Sequence, residues 1–196
     1  PEESRMTTED ELDMNEYGEV DNSIDPKRDG IDFINVYSKG NTKLGRFLSN
    51  MYYAPIDTPY GRFDTIEGYW HYLSLPDNCP DKEQLKTADG FHARKIGQAL
   101  REQYGTVERD DFETLISSAL SEKLALYIDD WDEEYVNIGG LPLKHYYVLS
   151  NGKTVNMTRR YRWMLDLLDE HMRYYGGERV QLATEKSADR GETELL

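Results

Sequence analysis

The chain has 196 residues, room for one domain with a real core, and carries 38 acidic against 23 basic side chains, a formal charge of −15. That balance argues against tight, unspecific nucleic-acid binding, whose affinity comes from neutralising phosphates. A single cysteine, Cys79, excludes a disulfide within the chain, the four histidines show no zinc-ligand spacing, and no apolar run is long enough for a membrane span.

The charge is uneven. Residues 1–30 hold 11 acidic and 3 basic side chains, and residues 176–196 hold 5 and 3, so the stretch 31–175 is close to balanced. This predicts an acidic, disordered N-terminal arm (1–30), a folded domain (31–175) and a flexible C-terminal tail (176–196). The arm either solubilises the domain or mimics nucleic-acid charge and docks on a basic partner. The expected setting is cytoplasmic and soluble, without a membrane; the sequence leaves the oligomeric state open.

Along the chain, residues 31–37 read as a first strand, with Ile31, Phe33 and Val36 as its apolar set. Residues 38–62 carry Gly40, Gly45, Pro55, Pro59 and Gly61 and predict a long turn-rich stretch with one short strand at 51–56. Thr65 offers a cap to a helix in which Ile66, Tyr69, Trp70 and Leu73 fall at helical spacing, ended by Pro76. A second helix is expected over 90–104. A third is expected over 111–129, opened by a capping box of Asp110 and Glu113. Asn151-Gly152 predicts a hairpin with a two-residue turn of positive φ at both positions, and residues 159–175 a last helix stopped by Gly176-Gly177. The fold class is α+β: a mostly helical single domain around a small sheet.

Four features carry candidate chemistry. Glu67 falls in the first turn of its helix, where the dipole keeps a carboxylate ionised and able to position water or stabilise a cationic sugar; an ordinary helix-start glutamate fits the same position. Tyr69, Trp70 and Tyr72 supply rings for stacking on a base or for the core, with Tyr69 expected inward and Trp70 at a site rim. Arg46, Ser49 and Asn50 supply a guanidinium, a hydroxyl and an amide that suit a ribose and a pyrophosphate, or a turn bonding its own backbone. Lys123 sits among apolar helix neighbours, where spacing favours a lysine that snorkels to solvent over one that points into a site. There is no GxGxxG and no P-loop.

The order of these pieces resembles the NADAR (YbiA-like) family of N-glycosidases. The resemblance rests on Leu48-Ser49-Asn50-Met51-Tyr52, Pro55-Ile56, Tyr60-Gly61 and Ile66-Glu67-Gly68-Tyr69-Trp70. It continues in Ala93-Arg94-Lys95-Ile96-Gly97 and in Ala119-Leu120 with Lys123, covering roughly residues 31–130. It implies a NADAR-like fold and hydrolysis of an N-glycosidic bond in an ADP-ribose or nucleotide-type substrate: ADP-ribose on guanine in nucleic acid, or a pyrimidine intermediate of riboflavin synthesis. Glu67 and Lys123 are then the catalytic pair, Arg46, Ser49, Asn50, Tyr52 and Trp70 the substrate-binding set, and no cofactor or metal is implied. Short acidic members of this kind suit a bacteriophage or a toxin-neutralising locus. Two departures stand out: Gly68 replaces the family's histidine after the glutamate, and the late Asp-x-x-Trp-Gly motif is absent, with the segment from His145 to Asn156 in its place. A remodelled C-terminal wall is expected. The alternatives are a non-catalytic binder or sensor of NAD-derived nucleotides, and an acidic interaction protein that masks a basic host factor.

Overall fold

The computed structural model describes residues 18–176. It is a mixed, mostly helical structure in which six helices surround three small sheets among the described residues.

The sheets are short and made by distant segments. β1 (Glu19–Val20) pairs antiparallel with β7 (Thr154–Asn156), which pairs with β6 (Tyr146–Val148). β2 (Ile34–Asn35) runs parallel to β5 (Leu143–Lys144), and β3 (Ile56–Thr58) forms a tight hairpin with β4 (Gly61–Phe63). The expected strand over 31–37 is therefore only its centre: Ile31 is 57% exposed, whereas every residue from Phe33 to Tyr37 is buried, so alternation is lost. The strand placed at 51–56 begins instead at Ile56. Residues 18–30, assigned by charge to the arm, lie against the body: Asp29 is buried and accepts from the backbone N–H of Asn35 (2.9 Å) and of Asn41 (2.7 Å). Residues 1–17 of the arm and 177–196 of the tail lie outside the described residues.

Asn35 couples the β2–β5 sheet to the β1–β7–β6 sheet. Its side chain donates to the Tyr146 carbonyl (3.0 Å) and accepts from the Tyr146 N–H (2.8 Å), imitating a strand partner. At the hairpin tip, Gly152 has φ 81° and donates to the Leu149 carbonyl, while Leu149 N–H bonds the Lys153 carbonyl. Asn151 does not take positive φ. The turn is thus a three-residue loop with glycine alone in the left-handed position, not the expected two-residue turn.

α1 (Lys43–Leu48) lies within the stretch read as loop. Thr42 caps it by accepting from Gly45 N–H (2.9 Å), and Gly45 allows close packing, since a Cβ there would lie 2.3 Å from the Asn35 carbonyl oxygen. α2 (Ile66–Leu73) is capped by Thr65 as the spacing predicts, Thr65 Oγ1 accepting from Gly68 N–H at 3.0 Å. α3 (Gly90–Tyr104) is capped by Asp89. α4 (Phe112–Leu126) is shorter than expected, and its capping box does not form: the cap is Asp111, whose side chain makes no bond to the helix because its carboxylate is held by Arg109. α5 (Asp132–Ile138) sends Glu134 to accept from Leu44 N–H (2.8 Å), docking on the start of α1. α6 spans 162–176.

One core joins these elements: Leu44, Phe47 and Leu48 of α1 meet Ile66, Tyr69 and Leu73 of α2 and Ile116, Leu120 and Leu124 of α4. Each such side chain stabilises the fold by roughly 1.5–3 kcal/mol, more than any surface ion pair. This packing fixes α2 and α3, whose remaining faces open on a cleft.

Candidate functional site

A cleft of about 830 Å³ runs between α2, α3, the loop after α1, the β5–β6 segment and α6. Glu67 stands in its wall because Thr65 starts α2 immediately before it. The Glu67 N–H, unused by the helix, donates to the Asn50 carbonyl (2.9 Å), which ties the loop to the helix start. The Glu67 carboxylate accepts from His71 Nε2 at 3.0 Å, one turn on, with side-chain exposures of 16% and 5%. Burial pushes the Glu67 carboxyl up, but the His71 hydrogen bond, with the charges of His71, Arg94 and Arg101, holds it below the ordinary value. Glu67 is therefore an ionised carboxylate in a largely closed setting.

α3 contributes Arg94, Gln98 and Arg101, whose spacing of four and three places them on one face, and all three line the cleft. The Arg101 Nε is buried and has no hydrogen-bond partner among the described residues. With Lys39 and Arg160, four cations line the cleft against Glu67, Glu102 and Glu113, the reverse of the chain's overall balance. Such a field favours an anionic ligand.

The segment from His145 to Asn156 forms another wall. His145 Nδ1–H donates to the Val36 carbonyl at 2.6 Å, and burial pushes the imidazole down to about 4. It is neutral at pH 7, which leaves Nε2 as an acceptor. Its ring lies 4.8 Å from that of Tyr147 and 5.3 Å from that of Tyr161. Trp70 stacks on Trp163 (5.7 Å, 25°) and meets Phe112 edge-on at 4.8 Å, so an aromatic patch faces the polar one.

Of the residues singled out by sequence, Glu67, Ser49, Asn50 and Trp70 line this cleft together. The Ser49 Oγ also accepts from Met51 N–H (3.3 Å), so the turn it makes with its own backbone and its place at the cleft coexist. Asn50 offers Nδ2 to the Met164 sulfur at 3.5 Å, and its Oδ1 is buried without a partner among the described residues. Tyr69 points inward, as expected, at 1% exposure.

Arg46, Tyr52 and Lys123 are not among the cleft-lining residues. Arg46 belongs to α1, whose inner face is taken by Leu44, Phe47 and Leu48; it is turned outward and donates to the Gly40 carbonyl (2.8 Å). Tyr52 packs edge-on against Phe47 at 5.0 Å. Lys123 does not snorkel: it is 1% exposed, donates to the Ser49 carbonyl at 2.9 Å and lies over the Phe47 ring at 4.9 Å. Burial pushes its ammonium down to about 7. Its contact is with the backbone that carries Ser49 and Asn50, so it braces the loop from beneath.

The residues missed by sequence reading are Arg94, Arg101, His145, Tyr147 and Trp163. The arginines had a signal, since their spacing puts them on one helix face. His145 had none, because its orienting partner Val36 is 109 residues away.

No group of three His, Cys, Asp or Glu side chains among the described residues converges as a metal site, and no described helix is long and apolar enough to cross a membrane. The chain matches no protein-family model, no curated protein and no solved structure.

Proposed function

We propose that the chain is an N-glycosidase of NADAR type that removes ADP-ribose from guanine in nucleic acid. The observation that carries this reading is Glu67, an ionised carboxylate held by His71 in a cleft where cations outnumber carboxylates and an aromatic patch stands opposite. Cleavage of the bond between C1 of a ribose and a base nitrogen builds positive charge on the sugar. Glu67 stabilises that charge and orients a water; the water oxygen bonds to C1, the nitrogen leaves with the bonding pair, and a proton from water neutralises it.

Asn50 and Ser49 stand beside Glu67 and suit the sugar hydroxyls. Arg94 and Arg101 suit the diphosphate, the role that the sequence pattern offered to Arg46. The aromatic patch around Trp70 suits a base. Lys123 acts through the loop and not on the substrate. In this reading the protein works in the cytoplasm, that of the host if it is phage-encoded, and reads the modified base more than the duplex, in keeping with its acidity.

The test incubates the wild type and Glu67→Gln with an oligonucleotide carrying ADP-ribosyl-guanine and follows free ADP-ribose and restored guanine by mass spectrometry. Release by the wild type alone is expected. Binding without release by either protein would favour the non-catalytic binder.

A further inference from the structure

We propose that His71 is a positioning residue for Glu67, and that Gly97 is the gap in α3 that lets the imidazole reach the carboxylate. This rests on reading Glu67 as the functional carboxylate.

The geometry is specific. A carboxylate only accepts, so the His71 Nε2 bonded to Glu67 carries the proton. The other ring nitrogen, Nδ1, is buried and has no hydrogen-bond partner among the described residues, so no second bond orients the ring. Packing must do so instead. A Cβ at position 97 would lie 2.2 Å from the His71 Cγ, 2.4 Å from Nδ1 and 2.6 Å from Cβ, distances that no side chain there could keep. The imidazole therefore packs close against bare backbone, and only glycine allows it.

Gly97 lies three residues after Arg94 and four before Arg101, so one face of α3 supplies two guanidiniums with the gap between them. The charged and titratable groups that act on Glu67 are His71 on its own helix, Arg94 and Arg101 on α3, and His145 and Tyr147 on the opposite wall. Of those that hold the Glu67 carboxyl down against burial, the His71 hydrogen bond comes first.

The test follows the Glu67 side-chain carboxyl by NMR of protein labelled with 13C-glutamate as pH is lowered. The proteins are wild type, His71→Leu, His71→Gln, Gly97→Ala and, as a control on the exposed side of α3, Gln103→Ala. The midpoint should rise in His71→Leu and in Gly97→Ala. It should stay near that of wild type in His71→Gln, whose amide N–H replaces Nε2–H, and in Gln103→Ala. An unmoved midpoint in His71→Leu or Gly97→Ala overturns the proposal, as does a rise in His71→Gln equal to that in His71→Leu. Wild type alone supplies a further reading that no folding defect can obscure: the His71 Nε2–H resonance should shift with the same midpoint as the carboxyl, and independence of the two overturns the proposal. On the ADP-ribosyl-guanine oligonucleotide, His71→Leu should lose about 100-fold in kcat with KM little changed, as for a misplaced group. A moved midpoint together with a wild type that releases no ADP-ribose would leave the positioning role standing and sink the glycosidase reading.

Discussion

Replacing Lys123 with Met should stabilise the protein in mild acid and destabilise it in alkali. The ammonium is 1% exposed, and burial pushes it from 10.5 down to about 7. Because the folded value lies below the unfolded one, its contribution is fully present above pH 10.5 and is lost as pH falls toward 7. At pH 6 the fold carries the cost of a buried charge, on the order of 5 kcal/mol at about 1.36 kcal/mol per pH unit. Methionine fills much of the same space without that charge but leaves the Ser49 carbonyl without its donor, a loss of about 1–3 kcal/mol. The variant should therefore be more stable than wild type by roughly 2–4 kcal/mol at pH 6. Near pH 10 the wild-type lysine is neutral when folded, still donates to Ser49, and the ranking should reverse. Urea unfolding at pH 6, 8 and 10, followed by tryptophan fluorescence, gives the difference directly, and other titrating groups cancel between the two proteins. A difference that does not change with pH, or changes in the opposite sense, would refute the reasoning.

Two further outcomes follow from the hairpin wall. The folded His145 value of about 4, against 6.5 unfolded, gives stability that is present above pH 6.5 and lost as pH falls toward 4, by up to roughly 3 kcal/mol; His145→Asn, which can still donate to Val36, should flatten that limb in thermal melts. Asn35→Leu should cost roughly 2–5 kcal/mol, since it strips both hydrogen bonds from the Tyr146 backbone inside the fold, and a drop in Tm seen by circular dichroism checks it.

Local chemistry was legible wherever the local signal was also the structural cause. Thr65 before Ile66 and Glu67 announced α2, and the periodicity of 90–104 announced α3 to the residue. α1 was hidden because it is six residues long with a glycine inside it, so propensity and period both argue against it until Gly45 meets the Asn35 backbone. Arg46 was misplaced for that reason: in a loop it would be free to turn toward a ligand, and in α1 it shares a turn with Leu44, Phe47 and Leu48, which claim the inner face. Lys123 shows the opposite failure. Spacing put it among apolar neighbours, where solvation is the ordinary outcome, and only a carbonyl 74 residues away explains its burial. The site itself was half legible, because Glu67 with Ser49, Asn50 and Trp70 lies in neighbouring segments. The facing wall arises from β2–β5 pairing across more than a hundred residues and has no local trace.

The most direct measurement runs the reaction in 18O-labelled water with the ADP-ribosyl-guanine oligonucleotide and reads both products by mass spectrometry. Hydrolysis at C1 through Glu67 predicts one 18O in the released ADP-ribose, none in the restored guanine, and no release by Glu67→Gln. Equal release by Glu67→Gln, or no release by the wild type, would contradict it.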